Sequence, residues 1–236
     1  MLYAIGDIHG RLDLLTALYS KIIDDVKRVN DPKGATIIFL GDMIDRGPDS
    51  KGVLDFIMNI SDYDHENVKH IMLKGNHELM MCDSWHGTYP TATGMWLYNG
   101  GLNTLHSFNI VENIHHIAHD KVLEPYVNWC EHLPLLYQQG NYTFCHSGLV
   151  DFTKPFEDQE VGLLWGRPYK SQYIGIAPNW IVHGHTAQHN CKPLIGVNTI
   201  NVDVACGYPN NENLCAVTLP YDSCRDDEIR FIQLQP

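Results

Sequence analysis

The stretch LYAIGDIHGRL (residues 2–12) joins an apolar run to a glycine-rich turn that carries an aspartate and a histidine. The apolar run is typical of a short strand, and residues 12–29 then place apolar side chains on one face of a helix. The same order recurs when ATIIFL (35–40) ends in GDMIDRGP and when VKHIML (68–73) ends in KGNHE. The first half of the chain is therefore predicted to fold as β-α-β-α-β with a parallel sheet.

The second half contains further short apolar segments, at 142–145, 180–182, 200–205, 215–219 and 229–234. Their lengths are typical of strands, and we expect them to form a second sheet. Residues 79–140 read mostly as helix and loop. No repeat or composition shift marks a boundary, so we expect one α/β domain over residues 1–236, with two sheets that share a core.

The composition excludes several classes of protein. The chain has 236 residues, 44% hydrophobic and 19% charged, which is typical of a soluble globular protein. Its net charge of −12 argues against extended nucleic-acid contact, because binding along a phosphate backbone needs a basic face. No apolar run approaches the ~18 residues of a membrane span, and no secretory signal is visible. Seven cysteines without a CxxC spacing are expected to be reduced thiols, which predicts a cytoplasmic protein. We also expect no membrane contact and favour a monomer, although the sequence leaves the oligomeric state open.

Polar residues follow each strand predicted in the first half. Asp7, Asp42 and Asn76 are separated by 35 and 34 residues, about one βα unit each. Because the carboxyl ends of parallel strands lie at one edge of a sheet, we expect these side chains to converge there. In the second half, His146 follows YTFC and His185 follows WIV in the same way.

The side chains collected at these strand ends predict a metal site. They offer oxygen and nitrogen ligands and no thiolate, and they are Asp7, His9, Asp42, Asn76, His146 and His185. Such a set suits borderline divalent ions such as Mn²⁺, Fe²⁺ or Zn²⁺. Six ligands are too many for one catalytic ion that keeps a position open for water. They suit two ions about 3.5–4 Å apart that share a carboxylate and a hydroxide.

Five sequence blocks carry a resemblance to a known family. In order, GDIHG, GDMIDRG, GNHE, HSG and GHT resemble the signature of the phosphoprotein phosphatase family of metallophosphoesterases. The closest resemblance is to the small bacterial and phage lambda-type serine/threonine phosphatases, and GNHELMMCD and WLYNGG also resemble segments of that group. The match runs from about residue 1 to about residue 205. This resemblance implies a two-sheet αβ sandwich of the calcineurin-like type. It also implies two bound metal ions, for which Mn²⁺ is the expected metal and Fe²⁺, Fe³⁺ or Zn²⁺ are the alternatives.

The resemblance also implies which residue holds which metal ion. Asp7 and His9 would hold the first ion, Asp42 would bridge both, and Asn76, His146 and His185 would complete the second. His183 and Asp203 lie in neighbouring segments and are expected to be structural. At residues 203–206 this chain has Asp-Val-Ala-Cys, which departs from the pattern of the phage-type enzymes.

The same resemblance implies roles in catalysis. His77 would be the general acid and Asp45 its orienting partner. Arg46 would hold phosphate oxygens, and Arg167 in LLWGRP resembles a second phosphate arginine of the phage-type enzymes. Lys74 stands where the family usually has arginine. The side chains expected to contact the substrate are Arg46, Lys74, Asn76 and Arg167.

Several functions remain open at this point. The first is hydrolysis of phosphomonoesters, either phosphoserine and phosphothreonine in proteins or small phosphorylated molecules. The second is a nucleotide hydrolase such as a diadenosine tetraphosphatase, although those relatives often lack the aspartate that is present here as Asp45. A phosphodiesterase or polynucleotide-end phosphatase is a further alternative. A non-catalytic binding module is disfavoured by the complete ligand set.

Overall fold

The computed structural model describes residues 1–60, 67–112, 114, 117–148, 150–151, 153–167, 180–221 and 226–234. The strands in this part of the chain are β1 (Leu2–Ile5), β2 (Ala35–Phe39), β3 (Val68–Met72), β4 (Leu136–Gln139), β5 (Tyr142–Cys145), β6 (Trp180–His183), β7 (Leu194–Gly196), β8 (Thr199–Asn201), β9 (Leu214–Leu219) and β10 (Arg230–Leu234). The α-helices are α1 (Leu12–Val29), α2 (Ser50–Met58), α3 (Asn76–His86), α4 (Ala92–Trp96), α5 (Leu102–Ser107), α6 (Glu124–Glu131) and α7 (Glu160–Trp165). A π-helical turn at Leu97–Gly101 joins α4 to α5, and 3₁₀ turns lie at Phe156–Gln159 and Asp226–Glu228.

The first sheet has the strand order β10-β9-β1-β2-β3. Its three N-terminal strands are parallel, as predicted, and their ends are level. Ile5 pairs with Phe39, and Phe39 pairs with Met72. The chain therefore leaves β1, β2 and β3 at one edge of the sheet, which brings their three polar turns together.

The second sheet has the order β4-β5-β6-β8-β7. Its central strands β5, β6 and β8 are parallel, while β4 and β7 run antiparallel at the two edges. His146 follows the end of β5, and His185 lies two residues beyond β6. The second sheet thus supplies two imidazoles from parallel neighbouring strands.

The two faces of β1 show why its sequence is almost wholly apolar. Leu2 and Ala4 belong to a buried cluster that includes residues of both sheets, among them Phe144 in β5. Tyr3 and Ile5 belong to the cluster beneath the helices that pack on the first sheet. A strand buried on both faces cannot show the apolar and polar alternation of a half-exposed one.

The structure corrects the predicted assignment of strands to sheets. The last two strands were expected in the second sheet, but β9 pairs antiparallel with β1, Leu2 with Leu219, and β10 pairs with β9. An apolar run indicates burial but does not specify the partner strand. Two short edge strands were also not predicted. They are β4, inside the segment read as helix and loop, and β7, whose three residues are all exposed.

Among the helices that the structure describes, none combines the length and the apolarity that crossing a membrane requires.

Candidate active site

The turns that follow the strands adopt a backbone conformation that is uncommon for residues other than glycine. His9, Asp42 and His185 have φ values of 46°, 51° and 63°, in the left-handed region. Asp45 and Arg46 have φ values of 72° and 65°. Strained non-glycine residues of this kind cluster at functional sites, where the surrounding structure holds them in place.

The first group of candidate metal ligands contains His9 and Asp42. The Nε2 atom of His9 lies 3.7 Å from Oδ2 of Asp42. On the other side of the ring, Nδ1 donates a hydrogen bond to the carbonyl of Ile44 at 2.9 Å. The Nε2 atom accepts a hydrogen bond from the guanidinium of Arg46, so a metal ion bound by Nε2 would replace that contact. Burial, followed by the charge of Arg46, holds the pKa of His9 well below its usual range, so the ring is neutral.

The second group surrounds the side-chain oxygen of Asn76. This Oδ1 atom lies 2.8 Å from Nε2 of His146 and 3.0 Å from Nδ1 of His185. His146 donates from Nδ1 to the carbonyl of Leu40 at 2.9 Å, which again leaves Nε2 facing the group. Burial lowers the pKa of His185 to about 3, so this ring, like that of His9, is neutral and able to act as a ligand.

Asp42 connects the two groups. Its Oδ1 lies 3.3 Å from Nε2 of His146, in the second group, whereas its Oδ2 faces His9, in the first. The ligand atoms of His9, Asp42 and His77 lie within 4.8 Å of one another, and so do those of Asp42, His146 and His185. The arrangement places Asp42 where a carboxylate shared by two ions would lie.

Asp7 provides a test of whether divalent cations fit this site. Its carboxylate is buried and accepts the backbone N–H of His185 at 3.1 Å. Burial raises the pKa of Asp7 well above its usual range, and the carboxylate of Asp203 raises it further. A bound divalent cation would relieve the repulsion among these carboxylates. Oxygen and imidazole donors without thiolate suit such an ion, so the residues present fit two divalent metals.

His77 and Asp45 form a close buried pair beside the first group. The Nδ1 atom of His77 donates to Oδ2 of Asp45 at 2.6 Å. Its Nε2 lies 3.8 Å from Oδ2 of Asp42 and 3.1 Å from a guanidinium nitrogen of Arg46. Burial alone would lower the pKa of His77, but the carboxylates of Asp42 and Asp45 raise it. The pair matches the geometry expected of a general acid and its orienting partner.

A cavity of about 260 Å³ opens onto both groups. Arg46 and Arg167 line it together with Asp42, and the Arg167 side chain is exposed. The guanidinium of Arg46 lies 4.8 Å from the centre of the Tyr208 ring, a cation–π contact. Two guanidinium groups and the candidate metal ligands therefore face the same cavity, a combination that suits the binding of a phosphate group.

The structure corrects the expectation that Lys74 contacts the substrate. Its side chain is largely buried, and Nζ donates to the carbonyl of Glu131 at 2.9 Å. That carbonyl ends α6, where the last turn leaves acceptors without helical partners. Lys74 does not belong to the side chains that line the cavity among the described residues. The other predicted substrate contacts, Arg46, Asn76 and Arg167, all line it.

Glu78 is a structural residue of the site that the sequence interpretation left without a role. Its buried carboxylate accepts the backbone N–H groups of Asp42, Met43 and Gly75 at 2.8–2.9 Å. It therefore ties the turn after β2 to the turn after β3. The sequence feature that could have revealed this role is the position of Glu78 in GNHE, three residues after the glycine that precedes α3.

Two neighbouring polar residues have structural contacts, in keeping with their expected roles. Asp203 accepts the backbone N–H of Ala205 at 2.8 Å. His183 donates from Nδ1 to the carbonyl of Gly184 at 3.0 Å.

The sequence of the chain matches the model of a known protein family. The model of the calcineurin-like phosphoesterases matches residues 2–216. The chain belongs to this family. Metallophosphoesterases of this family use a dinuclear centre of divalent ions, and the two clusters that share Asp42 are the candidate centre here. The predicted fold class, an α/β sandwich of the calcineurin-like type, is confirmed.

Two similar proteins and one similar structure show what the chain resembles. The asymmetrical bis(5'-nucleosyl)-tetraphosphatase PrpE of Bacillus velezensis is 26% identical, over 94% of this chain and 94% of that protein. The symmetrical bis(5'-nucleosyl)-tetraphosphatase of Neisseria gonorrhoeae is 34% identical, over 63% of this chain and 43% of that protein. A protein serine/threonine phosphatase structure from Saccharomyces cerevisiae superposes with a TM-score of 0.66, at 16% identity, over 100% of this chain and 79% of that one. The structural likeness concerns the fold alone.

We expect His77→Asn to lower kcat by roughly 100-fold or more while both metal ions remain bound, because His77 is assigned proton transfer rather than metal binding. Metal content by mass spectrometry of the purified variant, measured beside kcat, tests this assignment. His183→Asn serves as a control for loss of a buried imidazole. Loss of a metal ion from His77→Asn alone would make His77 a ligand.

We expect Lys74→Ala to lower the free energy of unfolding by about 1–3 kcal/mol, because it leaves the Glu131 carbonyl without its charged donor. Inhibition by inorganic phosphate should not change, since Nζ contacts that carbonyl and not the cavity. Urea unfolding and phosphate inhibition constants measure the two effects, with the exposed Lys121→Ala as control. A weaker inhibition by phosphate in Lys74→Ala would restore the family role of this position.

Proposed function

We propose that this chain is a dinuclear-metal-dependent hydrolase whose principal substrates are dinucleoside polyphosphates. The observation that carries the proposal is the cavity itself. Its wall combines the Asp42-centred ligand groups with the guanidinium groups of Arg46 and Arg167, so it suits a phosphate chain. Two Bacillus relatives that align over 94% of this chain are bis(5'-nucleosyl)-tetraphosphatases, which supports the same substrate class.

Two divalent ions held by the Asp42-centred groups would lower the pKa of a water molecule and so supply a hydroxide nucleophile near neutral pH. The protein's own side chains supply the rest. Arg46 and Arg167 bind the non-bridging oxygens of the phosphate under attack and compensate their developing charge. His77 gives the proton on Nε2 to the departing oxygen, while Asp45 fixes the ring through Nδ1.

An exposed aromatic side chain suits a nucleoside at the end of the phosphate chain. The Trp165 ring lines the cavity, is 38% exposed and stands edge-on to His185, with 6.4 Å between ring centres. Base stacking on an aromatic ring tolerates any base and contributes about 1–3 kcal/mol by alanine substitution. We assign Trp165 as the platform for a nucleobase of the substrate.

A second candidate function, hydrolysis of phosphoserine or phosphothreonine in proteins, is supported by the pairing of His77 with Asp45. An alkoxide is a poor leaving group and needs a proton as it departs. A phosphate leaving group, with a second pKa of about 6, depends less on that proton. The intact pair therefore suits a phosphomonoester more than an anhydride.

Mn²⁺ is the metal that we propose for the centre, with Fe²⁺, Fe³⁺ and Zn²⁺ as alternatives, because the donors are carboxylate, amide and imidazole. We expect chelator-treated protein to lose its hydrolytic activity and to regain it best with Mn²⁺. Rates with p-nitrophenyl phosphate are to be measured beside the metal content of each sample. Full activity in a verified metal-free sample would contradict the proposed mechanism.

We expect kcat/KM for diadenosine tetraphosphate to exceed that for a phosphoserine peptide. Trp165→Ala should raise KM for the dinucleotide about fivefold or more and leave KM for a phosphoserine peptide without aromatic residues unchanged, because only the dinucleotide carries a ring that can stack. Trp165→Phe, which keeps an aromatic face, is the matched control. A preference of the wild-type protein for the phosphopeptide would favour the second candidate function.

A further inference from the structure

The segment that includes WLYNGG packs against the turn that carries Asp45 and Arg46. Gly100, with a φ of 110°, accepts the backbone N–H of Arg46 at 3.2 Å through its carbonyl. A Cβ at this position would lie only 2.9 Å from the Arg46 nitrogen. Asn103 donates a further hydrogen bond to the carbonyl of Arg46. The contact brings residues from α4 and α5 against the site although they contribute no metal ligand.

Two side chains of this segment hold the Asp45 carboxylate. Trp96 donates from Nε1 to both oxygens of Asp45, at 3.0 Å and 2.9 Å. The hydroxyl of Thr104 lies 2.6 Å from Oδ1 of Asp45 and accepts the Asp45 backbone N–H at 3.0 Å. Ser50 also accepts that N–H, at 2.9 Å. All four residues are wholly buried, so no water competes for these bonds.

This arrangement determines the direction in which Asp45 meets its imidazole partner. The terminal torsion of an aspartate is broad, so a carboxylate without fixed donors samples a range of orientations. Here Thr104 engages Oδ1 and Trp96 engages both oxygens, and in this orientation Oδ2 accepts from the Nδ1 atom of His77 at 2.6 Å. The opposite ring nitrogen, Nε2, lies 3.1 Å from a guanidinium nitrogen of Arg46, and both residues line the cavity.

We propose that Trp96 and Thr104 are positioning residues that act on the proton-transfer step through Asp45 and His77. The inference rests on the proposed function, since it assigns the step that these residues serve. As the phosphorus–oxygen bond breaks, the proton on Nε2 of His77 passes to the leaving oxygen. Misorientation of the ring would impair that transfer without altering the groups that bind phosphate.

The test compares two substrates that differ in how much their leaving group needs a proton. The leaving group of phenyl phosphate is a phenol with a pKa near 10, as in tyrosine. That of p-nitrophenyl phosphate is a resonance-stabilised anion. Trp96→Phe and Thr104→Val should each lower kcat about tenfold for phenyl phosphate and less than threefold for p-nitrophenyl phosphate. Thr104→Ser, which restores the hydroxyl, should recover the rate with phenyl phosphate.

Trp85→Phe is the matched control, because Trp85 donates its indole N–H to the carbonyl of Asp120, without contact to Asp45. Trp85→Phe should not lower kcat for phenyl phosphate more than kcat for p-nitrophenyl phosphate. Equal losses on both substrates in Trp96→Phe and Thr104→Val would indicate packing damage and overturn the inference, as would unchanged rates. A wild-type protein that, supplied with Mn²⁺, hydrolyses neither these aryl phosphates nor diadenosine tetraphosphate would overturn the proposed function as well.

A measurement without metal or substrate completes the test. Proton NMR of the metal-free protein, with nitrogen-labelled histidine, should show a low-field resonance for the proton between His77 and Asp45. This resonance should shift or exchange faster with solvent in Trp96→Phe and Thr104→Val, and remain unchanged in Trp85→Phe. An unchanged resonance in both Asp45-linked variants would contradict the positioning role even if their rates fall.

Discussion

The buried carboxylate of Asp42 is the interaction on which the rest of the site depends. Its two oxygens face different groups of ligands, and Oδ1 also accepts the backbone N–H of His77 at 3.1 Å. Burial alone would raise the pKa of Asp42, but His146 and His77 hold it well below its usual range. A buried charge costs several kcal/mol unless donors and opposite charges surround it. The fold supplies them from two sheets, which are thereby joined at this point.

The turns around Asp42 approach one another too closely for ordinary side chains. Gly41 has a φ of 93°, and a Cβ there would lie 2.4 Å from the backbone nitrogen of Gly75. Glu78 then accepts N–H groups from both turns through one carboxylate. The glycines before Asp42 and Asn76 thus have a physical reason: they let two strand ends meet so that one acid can connect them.

An acidic protein can still present a site for anions. The net charge of −12 is spread over the chain, whereas Arg46 and Arg167 are concentrated at the cavity. Bound divalent ions would be the largest local charges there and would make the local charge positive, opposite to the negative net charge of the whole chain. The overall charge therefore bears on extended nucleic-acid contact and not on recognition of a phosphate chain.

The sequence by itself determined the parallel strands β1 to β3 and the convergence of their polar turns, because right-handed β-α-β connections place consecutive strand ends at one edge. It left the partners of β9 and β10 undetermined, since apolar residues on both faces do not specify a neighbour. Only the tertiary structure decided that Lys74 meets a carbonyl 57 residues away and that Trp96 meets Asp45 across 51 residues. Those contacts depend on where whole helices pack against the first sheet, and no local pattern of residue types encodes that placement.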